Sequence, residues 1–277
     1  MTISRKSAEL ILTNGRVFTV DAAGRWAESD AEFRALLGRA EAQLGAEHPQ
    51  MAAIARNYAT LLQRTGRFRS AAALVQRYQP ASARSDDRLA RIGFLQARAS
   101  SALNAGEDRA AREAAIASTE QAIEVHGARS GALASPLEIL AMVLFELGHL
   151  DAAAHVAAAL LGRDEAFDAR AATLLQLTHA LGIDSGLAPA AWAATPDQPC
   201  DQAERQALAE FLVARRATQQ GIVPADCSAA RAARLAALGW SWDTAALAPF
   251  TPEPYDTPLA RAARSGQPPK WPQPLEP

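Results

Sequence analysis

The stretch "IARNYATLLQRTGRF", residues 54–68, decides the fold of this chain. Its apolar side chains recur with the spacing of one face of an α-helix, at Ile54, Tyr58, Leu61 and Leu62. Gly66 then allows the chain to turn, because glycine adopts backbone conformations that other residues resist. A second helical face follows the glycine, at Phe68, Ala71, Leu74, Val75 and Tyr78. The stretch therefore predicts two helices joined by a tight turn.

The same helix–glycine–helix pattern returns farther along the chain. Glycines that open similar phrases lie 40 to 42 residues apart, at Gly24, Gly66, Gly106 and Gly148. Around Gly148 the apolar positions are Leu137, Leu140, Ala141, Leu144 and Leu147 before it, and Leu150, Ala153, Val156 and Leu160 after it. Ala71 and Ala153 each follow their glycine by five residues, where a small side chain lets the two helices pack closely. Repeats of this length predict a solenoid of helical hairpins.

Two phrases carry a family resemblance. "LGAEHP", residues 44–49, and "NYATLLQRTGRFRSAAAL", residues 57–74, resemble the interhelix and core motifs of tetratricopeptide repeats. The resemblance is to the longer variety found in kinesin light chains and in many bacterial signalling proteins. It covers roughly residues 24–182 and is weaker around Gly106, where Asp108 replaces the aromatic residue. It implies an all-α, right-handed α-hairpin solenoid.

Composition supports the helical class and limits the function. Apolar residues make up 49% of the chain but aromatic residues only 6%, so alanine and leucine, which favour helices, supply most of the apolar share. A net charge of −2 and a pI near 6.2 provide no basic field for nucleic acid or anionic lipid. No apolar run approaches the length of a membrane span, and we expect a cytoplasmic protein. Cys200 and Cys227 are expected to stay reduced.

Four segments are expected. Residues 1–23 form an irregular or hairpin segment, 24–183 the repeats, 184–245 helices that cap the solenoid, and 246–277 an extended Pro-rich tail. The tail either lies on the cap with Trp271 as its anchor, offers a polyproline segment to a partner domain, or is disordered.

The N-terminal stretch "SAELILTNGRVFTVDAAG", residues 7–24, resembles the opening hairpin of metal-dependent amidohydrolases of the imidazolonepropionase-like type. Those enzymes hold their metal with a His-x-His pair. No such pair exists among the five histidines, His48, His126, His149, His155 and His179. We therefore interpret the stretch as a chance or inherited fragment or as an irregular cap, and expect no metal.

Catalytic motifs are absent from the sequence. Ser185 stands one position late for a nucleophile elbow, and no glycine-rich phosphate loop is present. Asp86, Asp87 and His48 lie beside interhelix turns, where caps and solvated faces are expected. We expect neither enzymatic activity nor a cofactor.

The tetratricopeptide resemblance implies a binding groove lined by the first helix of each pair. Counted back from each turn glycine, its positions are Arg56, Asn57, Thr60, Gln63 and Arg64, then Gln96, Ser100 and Asn104, and then Glu138, Met142, Phe145 and Glu146. Asn57 is the strongest candidate, because an amide matches both hydrogen-bonding groups of a peptide backbone.

The leading hypothesis is thus a non-catalytic scaffold that binds a peptide or a partner protein in the groove. An alternative is a regulatory module that self-associates, or the C-terminal part of a bacterial kinase or regulator, with a homo-oligomer as one outcome. A remote alternative is a relic of an amidohydrolase, which would require bound metal.

Overall fold

The computed structural model describes residues 26–164 and, beyond them, only 167, 168, 171, 172, 174, 175, 178 and 185. The predicted N-terminal segment and Pro-rich tail lie outside the described residues, as does the predicted cap apart from Ser185. Residues 26–164 form a succession of helices: α1 (Trp26–Leu44), α2 (Pro49–Arg64), α3 (Phe68–Arg77), α4 (Gln79–Ala83), α5 (Arg88–Ala105), α6 (Asp108–His126), α7 (Ala134–Glu146) and α8 (Leu150–Leu160). A 3₁₀ turn, Gly131–Leu133, leads into α7.

Local signals at the helix starts explain two of these boundaries. His48 precedes Pro49, the first residue of α2, and its Nδ1 accepts a hydrogen bond from the Gln50 backbone N–H at 3.3 Å. Asp87 accepts the Ala90 backbone N–H at 3.0 Å and caps α5. The structural assignments of His48 and Asp87 are therefore confirmed.

The same turn ends the helices α2, α5 and α7. Gly66, Gly106 and Gly148 all have positive φ, at 72°, 80° and 84°. In each turn the N–H after the glycine bonds to the carbonyl five residues back, with Arg67 N–Leu62 O at 2.8 Å as the first example. The glycine N–H bonds to the carbonyl three residues back at 3.0–3.1 Å in all three turns. This recurrence confirms the repeat that the glycine spacing predicts.

Small residues bring the paired helices together. Ala71 and Ala153 are fully buried, as predicted from their position five residues after the glycine, and Ala111 occupies the same position in the unit between them. A methyl group at the crossing leaves room for the other helix to approach. The pairs α2–α3, α5–α6 and α7–α8 form hairpins.

The hairpins stack in chain order. The first helix of each pair packs against the next first helix, α2 on α5 and α5 on α7, while α3 packs on α5 and α6 on α7. Helix α1, which precedes the first complete hairpin, packs on α2. The described part of the chain is thus an all-α solenoid of helical hairpins.

One element differs from the sequence-based expectation. The second apolar face was expected to continue to Tyr78, but α3 ends at Arg77, and Tyr78 leads into the separate short helix α4. Pro80 near the start of α4 lacks the N–H that would continue the α3 ladder, so the chain breaks here. Helix α4 packs against α2 and α5.

Candidate protein-interaction groove

The predicted groove positions lie on the three first helices α2, α5 and α7, which contact one another in sequence. We call the surface formed by these positions the first-helix face. Its exposed members are Thr60 and Arg64, and its half-buried members are Arg56, Asn57, Gln63, Gln96, Ser100, Glu138 and Met142. Asn104, Phe145 and Glu146 are buried, with 8%, 5% and 6% of their surface exposed.

A hydrogen-bonded link joins α2 to α5. Gln63 Nε2 donates to Ser101 Oγ at 2.9 Å, and Asn104 Nδ2 donates to Gln63 Oε1 at 3.2 Å. Gln63 thus uses its amide as donor and acceptor across the repeat junction. Because these groups bind each other, they stabilise the stacking of the repeats.

A second link joins α5 to α7, where Gln96 Nε2 donates to Ser135 Oγ at 3.2 Å. Sequence reasoning missed both serines of these links, Ser101 and Ser135. A small hydroxyl residue on a first helix, near the level of an amide on the preceding first helix, is the signal that could have indicated them.

Three members of the first-helix face on α2 have unpaired polar side chains. Within the part of the chain that the structure describes, Arg56, Asn57 and Arg64 make neither a side-chain hydrogen bond nor an ion pair. All three lie on α2, and Arg56 reaches across to α5 at Gly93. Two cations and an amide are therefore available on α2 to groups outside the described residues.

Two of the four members of the face on α7 are apolar and pack with core residues. Phe145 packs with Leu144, Leu150 and Ala153, and Met142 packs against a cluster that includes Val143. Phe145 was expected to line the groove. Its burial corrects that expectation, because the aromatic ring fills the space between α7 and α8.

Sequence reasoning also missed a buried carboxylate outside the groove. Asp30 on α1 is 2% exposed and accepts hydrogen bonds from Tyr58 Oη at 2.9 Å and Arg67 Nη2 at 2.5 Å, and it also pairs with Arg34. Phe33 stacks on the Tyr58 ring beside it, with centroids 5.2 Å apart. A charged residue within the apolar face of α1, three residues before Phe33, is the signal in the sequence.

The charge of Asp30 is stabilised despite its burial. Burial opposes ionisation of the carboxyl, but hydrogen bonds from Arg67, Arg34 and Tyr58 together hold its pKa below the usual range. The pKa of Tyr58 is raised, first by burial and then by its hydrogen bond to Asp30. We call Asp30, Arg34, Tyr58 and Arg67 the Asp30 cluster. It ties α1 to α2 and to the turn before α3.

A second contact holds the other end of α1. Tyr78 Oη donates to Glu41 Oε2 at 2.8 Å, and Arg77 Nη2 contacts Glu41 Oε1 at 2.5 Å. Burial and the hydrogen bond to Glu41 raise the pKa of Tyr78 to about 12. The two contacts fix α1 against the hairpin that follows it.

Among the described residues, no cluster of three or more His, Cys, Asp or Glu side chains has the arrangement of a metal site. Every helix described is too short or too polar to cross a lipid bilayer.

Comparison with known families supports the interpretation of the fold. The family model described as tetratricopeptide repeat matches residues 12–82. The match begins within the segment expected to be irregular, continues through the α2–α3 hairpin and ends in α4. No curated protein matches the chain.

The match and the stacked hairpins make the described part of the chain similar to one class, the tetratricopeptide repeat proteins. Repeats of this class generally mediate protein–protein interactions and are typically non-catalytic. A scaffold is consistent with both properties.

Proposed function

We propose that this protein is a non-catalytic interaction scaffold that binds an extended segment of a partner protein on its first-helix face, which serves as the groove. The observation that carries the proposal is the set of three unpaired side chains on α2, Arg56, Asn57 and Arg64. They lie on a face where the neighbouring amides are already occupied by contacts between repeats.

The chemistry of these side chains matches a peptide. The Asn57 amide offers a donor and an acceptor, so it can bind the N–H and C=O groups of an extended backbone whatever its sequence. Arg56 and Arg64 supply guanidinium groups, whose planar geometry suits carboxylates of side chains or of a chain terminus.

The occupied amides support binding in a different way. Gln63, Gln96 and Asn104 hold successive first helices in a fixed relation through their hydrogen bonds. A surface that is already ordered loses less conformational entropy when a partner binds. We therefore assign these three residues to preorganisation rather than to direct contact.

We also propose a type of repeat and a cellular location for this protein. The repeats belong to the long kinesin-light-chain-like variety, which the 40- and 42-residue spacing of the three identical glycine turns supports. The protein works in the cytoplasm, where its two cysteines are expected to stay reduced.

The test is a crosslinking pull-down with the full chain as bait. The groove variant is Asn57→Ala with Arg64→Ala. The matched control removes an amide and a guanidinium outside the first-helix face, Gln76→Ala on α3 with Arg39→Ala on α1, both at exposed positions. Circular dichroism must first show equal helical content in all three proteins.

A partner that is captured by the wild type and the control but lost by the groove variant supports the proposal. Its affinity is then measured with purified components. A partner captured equally by all three proteins places the interface elsewhere and contradicts the proposal.

Self-association is the competing account. Helix α1 is the first described helix and packs on α2, and in this account a second copy binds beside α1. Size-exclusion chromatography with light scattering distinguishes the two accounts. A strict monomer at micromolar concentration counts against self-association.

A further inference from the structure

Gly93 occupies an unfavourable position for a glycine. It lies inside α5, well away from the turn at Gly106, and its backbone is not in the left-handed region that calls for glycine. Within a helix, glycine is less favourable than every residue except proline, because it loses the most backbone freedom on folding. The backbone of α5 therefore gives no reason for a glycine at this position.

The reason lies in the side chain that covers it. A Cβ atom added at Gly93 would lie 2.6 Å from Arg56 Nη1, closer than such contacts occur in proteins, and 3.7 Å from Arg56 Cδ and Cζ. The Arg56 side chain thus crosses from α2 and rests directly on the α5 backbone. Only glycine leaves room for the guanidinium in this place.

Another helical glycine shows that this contact is specific. Gly38 lies inside α1, and a Cβ atom added there would meet nothing within 4 Å. The two glycines have the same effect on helix propensity, but only Gly93 has a neighbour that fills the space of the missing side chain.

The positive charge of the Arg56 guanidinium has no counter-ion among the described residues. Arg56 is half-buried, and no carboxylate among the described residues pairs with it. A partly desolvated cation without a counter-ion is unfavourable unless an anionic group supplies one. Asn57 follows Arg56 on the same helix, so a backbone bound at Asn57 would bring its side chains close to the cation.

We propose that Gly93 is a positioning residue that seats the Arg56 guanidinium on the next repeat, where it receives a side-chain carboxylate of the bound peptide. This inference rests on the proposed function of the first-helix face. It adds a ligand preference, namely for a peptide with an acidic residue at the α2–α5 junction. It also explains why residue 93 is a glycine.

The first measurement needs no ligand. Full-length wild type, Gly93→Ala and the matched control Gly38→Ala are compared by NMR of arginine side-chain Nε–Hε groups, with the Arg56 signal assigned by its loss in Arg56→Lys. Gly93→Ala is expected to fold normally, because the atom it displaces belongs to the far end of a flexible side chain.

Its Arg56 signal should move to the position of solvent-exposed arginines, whereas Gly38→Ala should leave the signal unchanged. An unchanged Arg56 signal in Gly93→Ala, or loss of the fold of this variant, would refute the role of Gly93 in positioning Arg56. This holds whether or not any partner binds.

The second measurement uses fluorescein-labelled octapeptides as probes, one alternating Glu with Ala and one alternating Gln with Ala. Wild type should bind the Glu peptide more tightly than the Gln peptide. In Arg56→Ala the ratio of the two affinities should fall about tenfold, which corresponds to the loss of one charge-assisted hydrogen bond. Gly93→Ala should remove most of the same preference and should add nothing in an Arg56→Ala background.

The outcomes separate the two proposals. If Asn57→Ala weakens binding of both peptides while Gly93→Ala leaves the preference for Glu intact, the groove stands and the role of Gly93 is refuted. If wild type does not prefer Glu over Gln, the carboxylate site is refuted, and the pull-down alone decides on the groove.

Discussion

Helix α2 contacts α1 on one side and α5 on the other, and the two contacts use polar groups in opposite ways. Toward α1, the carboxylate of Asp30 is buried and accepts from Tyr58 and Arg67. Toward α5, Arg56 crosses the junction and finds no carboxylate among the described residues.

The difference shows how one helix serves both stability and binding. A buried charge stabilises a fold only when its partners replace the water it has lost, and the Asp30 cluster meets that condition. A half-buried charge without a partner contributes little to the fold but is ready for an external anion. We therefore expect changes on the α1 side to alter stability and changes at Arg56 to alter binding.

The largest expected effect is that of Asp30→Ala. The change leaves the buried hydroxyl of Tyr58 without its acceptor and removes the ion pair between Asp30 and Arg67. Removing one member of a buried ionic cluster should lower the free energy of unfolding by about 3 kcal/mol. Urea denaturation followed by circular dichroism measures it.

The control for this prediction is Glu32→Ala, at an exposed position of the same helix. It should change the free energy of unfolding by less than about 0.5 kcal/mol. If Asp30→Ala proves as mild as Glu32→Ala, the contrast between the two sides of α2 is wrong.

Acid should weaken the same contact. The pKa of Asp30 is below its usual value of 3.8 in the folded protein, so the unfolded chain takes up the proton first as the pH falls. The stability that the Asp30 charge provides is therefore complete above pH 3.8 and is lost progressively below it. Asp30→Asn cannot titrate at this position.

The measurement is urea denaturation of wild type and Asp30→Asn across the acid range. The advantage of the wild type should shrink as the pH falls below the usual aspartate pKa and should stay constant above it. An advantage that grows toward acid would contradict the assigned direction of the pKa shift.

The repeat was predictable because its signals are local. Gly66 and the apolar residues on either side of it lie within a few turns of one another, and the same turn recurs at Gly106 and Gly148. The Asp30 cluster was not predictable in this way, since Tyr58 and Arg67 follow Asp30 by 28 and 37 residues. Their meeting depends on how α1 packs on the next hairpin.

The candidate groove was predictable as a face but not in detail. Counting back from the glycine identifies candidate groove positions on a first helix. It does not tell which of them contact the next repeat. Gln63 and Phe145 both stand three residues before their glycine; one bonds to Ser101 and the other enters the core. The same position therefore contacts the next repeat in one unit and enters the core of its own hairpin in the other.

Gln63→Ala tests the α2–α5 junction itself. The change removes the acceptor of Asn104 and the donor to Ser101, both with limited access to water. Two lost hydrogen bonds should lower the free energy of unfolding by about 1–2 kcal/mol. The exposed change Gln76→Ala serves as the control and should have an effect below about 0.5 kcal/mol. Equal effects would mean that the link does not stabilise the stacking.

Gly38→Ala should have the smallest effect, and it should be stabilising. Gly38 is exposed inside α1, its backbone is helical, and an added Cβ meets nothing within 4 Å. Alanine restricts the unfolded chain and favours the helix, so the free energy of unfolding should rise by about 0.5–1 kcal/mol. Thermal unfolding should be measured for both Gly38→Ala and Gly93→Ala, because the two changes raise the helix propensity equally. If the free energy of unfolding rises less in Gly93→Ala than in Gly38→Ala, the difference measures the contact energy that Arg56 loses when the alanine methyl group displaces its guanidinium.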